Sequence, residues 1–411
     1  MRQLVLAGVL ALTFSFAPVA GQAGIARPGD LCDDETVSLL SMKVALAGRS
    51  LGVVDAECGF DSAPWAGYRP SARSAELRFM GGARGQGIGW VFGGIAAAAQ
   101  LAVATRRRLV IDYKVGGEPL AGFVRPGRGA PRFVARTGPM MCNHSLVVWT
   151  WGQSTPIDEV FADASDTSRY PTLCYTGGFA GEAFTSKVDE ALGIPDSSTA
   201  AKMGCALQFM FDIPPPPKSD MFTIVGHLRL GDAYIAGGGD ASDTGRSVLT
   251  DVSWGLGDVS TASSAFVHCM QGLAEQLVPD RSVGCRVVLL SDSKRAKRLA
   301  AASSRKGRCA VVVDTQVDAR HSAVGHFDHR TMSAVVDDLF AIARADAALV
   351  THSGFGRSGS AMGPALQGRN FLFERILQGS GKSRDAIQTA ARSGEIKQVC
   401  RLASPVADNE V

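Results

Sequence analysis

Beyond Phe222 the chain alternates short apolar runs with helix-patterned segments, and few architectures accept that order. Phe222 to Leu228 (FTIVGHL), Val287 to Leu290, Ala310 to Val313 and Ala347 to Val350 read as strands. Residues 262–277, Lys294 to Ala302, Met332 to Ala343 and Gly359 to Leu366 read as helices. Strands that alternate with helices in this way imply a parallel sheet covered on both faces, so a doubly wound α/β unit is expected here. An earlier unit of the same kind begins with Glu76 to Met80 as a strand. It continues through a glycine-rich turn from Gly81 to Gly89, a helix from Trp90 to about Thr105, and a strand in RLVIDY at 108–113. Residues 114–212 are less periodic, with helical patches near 156–164 and 186–193. Pro214, Pro215, Pro216 and Pro217 follow, a run that can neither continue a helix nor donate to a sheet and that forms a stiff spacer. The expected organisation is therefore a domain over 24–213, a proline linker over 214–217 and a second domain over 218–411.

The chain has 411 residues, 46% of them hydrophobic and 20% charged, which supports sizeable cores and excludes a disordered tail. Its formal net charge is +3, and the one basic run is Arg106, Arg107 and Arg108 at the end of a predicted helix. That run fits a favourable interaction with the helix dipole, so nucleic acid is not an expected partner. Residues 1–23 have the profile of a secretory signal: Arg2, an apolar stretch from Leu4 to about Ala20, then small residues. A membrane is a partner only if this leader is kept as an anchor. The nine cysteines all lie beyond it, where an oxidising lumen permits disulfides, and an odd count leaves at least one out of the pairing. The expected location is the lumen of the secretory pathway (Golgi or endoplasmic reticulum) or the exterior, with Asn143-His144-Ser145 as a glycosylation sequon.

In open parallel sheets ligands bind beyond the carboxyl ends of the strands, and three such ends carry suitable chemistry. The first is His227-Leu228-Arg229-Leu230-Gly231-Asp232, where Arg229 can meet a pyrophosphate bidentately or pair with Asp232 in a turn. The second is Ser291-Asp292-Ser293, a carboxylate for a base or ribose, or a helix cap. The third runs from Thr351 to Gly359 (THSGFGRSG). Free N–H groups at a helix start there make an anion cradle without the Lys-Ser/Thr of a P-loop. His326, Asp328 and His329, with His321 nearby, read as a solvated loop rather than metal ligands. Trp149 and Trp151 flank a predicted strand and suit either packing or stacking on a sugar.

Together these elements resemble the fucosyltransferase superfamily of GT-B fold, which includes protein O-fucosyltransferases and the alpha-1,6, alpha-1,2 and xyloglucan enzymes. VGHLRLGDAY at 225–234 is similar to that family's H-x-R-(R)-x-D strand end, and LLSDS at 289–293 to the segment whose Asp contacts the donor. Asp338 through Ser353 is similar to the D-(x)7-D-(x)6-S stretch before the last donor-binding helix. Gly87-Ile88-Gly89-Trp90 resembles the G-x-G-N/R turn, with Trp90 where Asn or Arg is common, and Gly354 stands where some members have a second Ser. The resemblance implies two Rossmann-like domains facing each other across a cleft, and transfer of L-fucose from GDP-fucose to a glycan or glycoprotein with inversion and no metal or other cofactor. It puts the donor at Gly87, Gly89, Arg229, Asp232, Asp292, Ser293, Asp338, Ser353, Gly354, Phe355, Arg357 and Ser358. Arg229 is expected to stabilise the leaving diphosphate, with His227 and Asp112 as candidates for the base. Arg229→Ala is expected to abolish activity while leaving the melting temperature within a few degrees. A catalytically silent protein that binds a glycan or nucleotide, and the same fold serving another nucleotide sugar, are the alternatives.

Overall fold

The computed structural model describes residues 58–61, 65–81, 87–115, 117–134, 142–148, 157–177, 185–192, 199–214, 221–230, 256, 258–303, 308–313, 329–364 and 367–405. The leader, Cys32, Pro215 to Pro217, Trp149, Trp151, Gly231, Asp232, His321, His326 and Asp328 lie outside them. All described residues fall in one compact unit, Arg49–Val411.

Two five-stranded parallel sheets organise this unit. The first draws on β1 (Glu76–Phe79), β2 (Arg108–Ile111), β5 (Arg132–Phe133), β6 (His144–Val148) and β7 (Thr172–Gly177), in the order β5-β2-β1-β7-β6. Lys114–Val115 (β3) and Glu118–Pro119 (β4) make a small antiparallel pair beside it. Alternation decides its faces: Leu77, Phe79, Leu109, Ile111, Leu173 and Tyr175 are buried in register, whereas Glu76, Arg78 and Arg108 point the other way.

Against the apolar face lies α1 (Ile88–Ala104), a helix buried on nearly every side, as its run of Ala, Ile, Val and Gly requires. It ends in a Schellman turn. Arg107 N–H donates to Ala102 O and Arg106 N–H to Val103 O, with Arg106 left-handed at φ 54°. The basic run thus acts differently from the dipole reading. Arg107 is fully buried and its guanidinium donates to Ala164 O, Tyr170 O and Asp166 O, gathering the end of another helix, α2 (Ile157–Ser165). Arg108 pairs with Glu76. Two further helices, α3 (Thr185–Leu192) and α4 (Thr199–Met210), complete this half.

The second sheet has β8 (Phe222–Leu228) at its centre, with β9 (Cys285–Ser291), β10 (Ala310–Val313), β11 (Ala347–Val350) and β12 (Asn370–Leu372) in the order β10-β9-β8-β11-β12. That is the doubly wound order, with its switch point between β8 and β11. One face packs α5 (Val259–Leu277) and α6 (Lys294–Ser303) through Ile224, Val287, Leu289 and Phe266. The other packs α7 (His329–Ala343) and α8 (Gly354–Ala361) through Val225, Val350 and Ile342. Helices α9 (Phe373–Gly379), α10 (Arg384–Ser393) and α11 (Ile396–Arg401) close the chain.

The expected helix Gly359 to Leu366 instead begins at Gly354. Ser353 caps it by accepting Gly356 N–H at 3.1 Å, and the glycines serve packing: a Cβ at Gly359 would meet Ile342 at 2.9 Å. Main layers do not stop at the two sheets. Met332, Leu339, Phe340 and Met362 from the second half join the same core as Phe92, Leu207 and Phe211 from the first. Four disulfides, Cys58–Cys205, Cys142–Cys174, Cys269–Cys400 and Cys285–Cys309, fasten the chain, and no described helix is long and apolar enough to cross a membrane.

Candidate functional site

The carboxyl ends of β8, β9 and β11 are stitched together at the switch point. Arg229 N–H donates to Thr351 Oγ1 at 2.9 Å, and Thr351 N–H to His227 O at 3.1 Å. From the end of β9, Asp292 accepts Leu230 N–H on Oδ1 at 2.9 Å and meets Arg229 Nη1 with Oδ2 at 3.1 Å. The Arg229 side chain keeps 22% of its surface exposed while that of Asp292 keeps 4%. The ion pair therefore fixes a partly exposed guanidinium at the rim of the sheet. Ser293 is buried, and its Oγ accepts Ala296 N–H at 3.1 Å, so it caps α6.

Facing Arg229 across β11 is the start of α8. Ser353 accepts Gly356 N–H on its side chain and Arg357 N–H on its carbonyl, leaving Gly354 and Phe355 N–H without an acceptor among the described residues. His227 lies behind this turn, Nδ1 at 3.4 Å from Ser353 Oγ and its ring 4.8 Å from that of Phe355. Burial, assisted by the charges of Arg229 and Lys297, pushes its pKa down to about 3, so the imidazole is neutral. Beyond the turn, Glu374 Oε1 accepts His352 N–H at 2.9 Å. Burial raises the Glu374 pKa and lowers that of Arg357, with the two opposite charges partly offsetting it. Arg357 Nε and Glu374 Oε2 are both buried and have no hydrogen-bond partner among the described residues.

The first half contributes the start of α1. Gly87 stands just before the helix, and its carbonyl accepts Trp90 and Val91 N–H. Gly89 is pressed onto α8 so closely that a Cβ there would lie 2.2 Å from Phe355 N. Ser358 Oγ donates to Gly89 O at 2.8 Å, which spends that hydroxyl on joining the two helices. Trp90 packs over Gly354: a Cβ at Gly354 would come within 3.3 Å of the indole. The two residues that depart from the family pattern are thus neighbours, the larger side chain occupying the room the smaller leaves.

No family model matches the chain and no curated protein matches it. Among solved structures it is similar to a mutant of Arabidopsis thaliana FUT1 in complex with GDP, with 12% identity, 80% of this chain and 78% of that one covered, and a TM-score of 0.43. It is also similar to Bradyrhizobium NodZ alpha-1,6-fucosyltransferase soaked with GDP-fucose, with 15% identity, 70% and 93% coverage and a TM-score of 0.35. POFUT1 in complex with GDP-fucose gives 13% identity, 74% and 99% coverage and a TM-score of 0.35.

Of the residues singled out from sequence, Arg229, Asp292, Ser353, Gly354, Phe355, Arg357, Gly87 and Gly89 gather around the strand ends and the two helix starts. Asp338 does not. It lies five residues before the end of α7, which leads to the amino end of β11, where Asp346 Oδ2 accepts Thr223 N–H at 2.8 Å and ties β11 to β8. Asp112 sits at the end of β2 in the other sheet, buried, with Oδ2 4.0 Å from Arg78 Nη1. His329 pairs with Glu118 at 2.7 Å across the two halves. Glu374 was not visible as a site residue, because it follows β12, a strand of three residues that the sequence pattern did not reveal.

Proposed function

We propose that the chain binds GDP-fucose at the carboxyl edge of the second sheet and transfers L-fucose, with inversion and without a metal, to a glycan or glycoprotein. The observation that carries this reading is the placement of Arg229 at the end of the central strand, beside the start of α8, where Gly354 and Phe355 N–H have no acceptor among the described residues. As the glycosidic bond breaks, negative charge collects on the diphosphate while the sugar becomes oxocarbenium-like. A guanidinium and a helix start, fixed beforehand, stabilise that charge without reorganising.

The base is a separate question. A pKa near 3 makes His227 too weak to draw a proton from a sugar hydroxyl, so it is better suited to bracing the Ser353 turn. Asp112 pairs with Arg78 and makes no contact with the Arg229 group among the described residues. The acceptor hydroxyl is then left to a dissociative transition state or to a group brought by the acceptor. Four disulfides suit an oxidising compartment, in keeping with a lumenal or secreted protein.

The reading is tested by measuring GDP release from GDP-fucose, with and without an acceptor panel, in buffer containing EDTA. Turnover that survives chelation and vanishes in Arg229→Lys supports it; turnover that requires a divalent ion, or that is unchanged in the variant, contradicts it. Trp90 seated on Gly354, at the junction where the family commonly places Asn or Arg, favours the second reading of a silent binder. That protein would be stabilised by GDP yet release none from the sugar nucleotide. Stronger stabilisation by UDP than by GDP would point to another donor.

A further inference from the structure

The chain has three asparagines, Asn143, Asn370 and Asn409, and only Asn143, followed by His144 and Ser145, opens the Asn-X-Ser/Thr sequence that accepts an N-linked glycan. That tripeptide leads into β6, where successive side chains face opposite ways. His144 and Leu146 share one face. The imidazole meets Asp163 Oδ2 through Nε2 at 2.9 Å and stacks on Tyr170, and Leu146 is buried. Asn143 and Ser145 alternate with them and are exposed. Asn143 is ordered by the neighbouring strand, its backbone N–H donating to Thr172 O at 2.9 Å and its Oδ1 accepting Thr172 N–H at 3.0 Å. No described residue hydrogen-bonds its Nδ2. The carboxamide thus spends its oxygen on the fold and leaves its nitrogen, the atom a glycan joins, without a structural role.

We propose that Asn143 is an N-glycosylation site of the protein, placed so that its glycan leaves the strand from the edge of the first sheet opposite the start of α1. Register fixes that edge. Thr172 pairs with Glu76, the first residue of β1, whereas Gly87 and α1 follow beyond Phe79, its last. The strands of this sheet run parallel, so Asn143 stands at the amino edge and α1 begins past the carboxyl edge. In the modification, Nδ2 forms a bond to the anomeric carbon of an oligosaccharide carried on a lipid pyrophosphate. The bond from that carbon to the pyrophosphate oxygen breaks, the amide gives up one proton, and the lipid pyrophosphate leaves. The carbonyl Oδ1 is untouched, so the contact with Thr172 N–H persists in the glycosylated protein. The inference rests on the lumenal reading above and not on the donor or acceptor of the chain.

The test translates the full chain with microsomal membranes, once with its own amino terminus and once behind a cleavable secretory signal from another protein. Protease-protected chains should gain the mass of one glycan and lose it again with peptide N-glycosidase, and mass spectrometry should then find an aspartate in place of the asparagine. Asn143→Gln and Ser145→Ala should each abolish the shift, and Ser145→Thr should keep it. Ser145→Ala retains the Oδ1 contact with Thr172, so its melting curve should match that of the enzymatically deglycosylated parent, which separates loss of the acceptor sequence from misfolding. Protected chains that leave Asn143 unmodified behind the added signal would overturn the proposal, and so would a shift that survives in both Asn143→Gln and Ser145→Ala. A shift seen only behind the added signal would defeat the lumenal reading, and the proposal with it, while showing the asparagine itself competent.

Discussion

Replacing Arg229 with Ala removes a cation and also takes one ion-pair partner from the Asp292 carboxylate, whose side chain is 4% exposed. Breaking a buried pair from one side costs about 3–5 kcal/mol, and partial exposure of Arg229 puts this site toward the lower figure. The melting temperature of Arg229→Ala should therefore drop by several degrees, more than the sequence suggested. Arg229→Lys should keep the pair and the fold yet lose most diphosphate affinity; equal melting temperatures for the Ala and Lys variants would argue that the pair contributes nothing. His227 makes a pH prediction. Its pKa is about 3 when folded against 6.5 as the ordinary value, so between these the unfolded chain binds more protons. Stability therefore falls as pH drops below about 6.5, and at pH 5 the loss is about 2 kcal/mol. Melting at pH 7.5 and pH 5 should show a smaller decrease for His227→Gln than for the parent. Burial lowers His268 and His352 in the same direction, so the variant keeps part of the slope.

At the scale of single elements, α1 tests both ends of a helix. Its carboxyl end places Arg106 at φ 54°, a conformation that glycine adopts more cheaply. Arg106→Gly should stabilise the protein by about 0.5–1 kcal/mol, seen as a rise in chemical-denaturation midpoint. Its amino end tolerates no such change: Gly89→Ala would drive a methyl into the Phe355 backbone, so it should lower both stability and diphosphate binding. These helix ends also show which parts of the fold were legible. Phe222–Leu228, Ala310–Val313 and Ala347–Val350 match their predicted bounds, because a buried parallel strand is a continuous apolar run between polar turns. Val259–Leu277 starts three residues before its predicted position, at the Asp258 cap, whose side chain accepts Thr261 N–H. The helix at Gly354 was hidden because glycines that exist for close packing look the same in sequence as glycines that turn the chain. Strands β5 and β6 and helix α4 were missed, since β5 is two residues long and α4 owes its burial to contacts distant in sequence. In the site, the Arg229 and Ser353 positions follow from strand ends. Asp292 and Gly89 were singled out as well, from a strand end and a glycine turn, but their contacts with Arg229 and Phe355 join different elements and had no local signal.

For the whole described chain the question is whether two sheets make two folding units. No disulfide joins them: Cys58–Cys205 and Cys142–Cys174 lie within the first half, Cys269–Cys400 and Cys285–Cys309 within the second. The coupling is packing instead. Helices α1 and α4 rest on α7 and α8, Phe92 meets Phe340 with ring centres 6.5 Å apart, and Gln208 donates to Met362 O. Removing either half would expose Met332, Val336, Leu339 and Met362, or Phe92, Leu207 and Phe211, to water at about 1.5–3 kcal/mol for each large side chain. A half on its own should therefore be unstable, and calorimetry of the intact protein should give one transition in which the calorimetric and van't Hoff enthalpies agree. Two resolved transitions would show that the shared core is too weak to couple the halves. Reduction should lower the melting temperature without splitting the peak, because each disulfide acts inside one half. The long loops closed by Cys58–Cys205 and Cys269–Cys400 each contribute about 4–5 kcal/mol in the chain-entropy account, so their loss shifts the transition, whereas cooperativity depends on the interface between α1 and α8. Gly89→Ala in the oxidised protein should weaken that interface directly, lowering the temperature of the single transition while every disulfide stays closed.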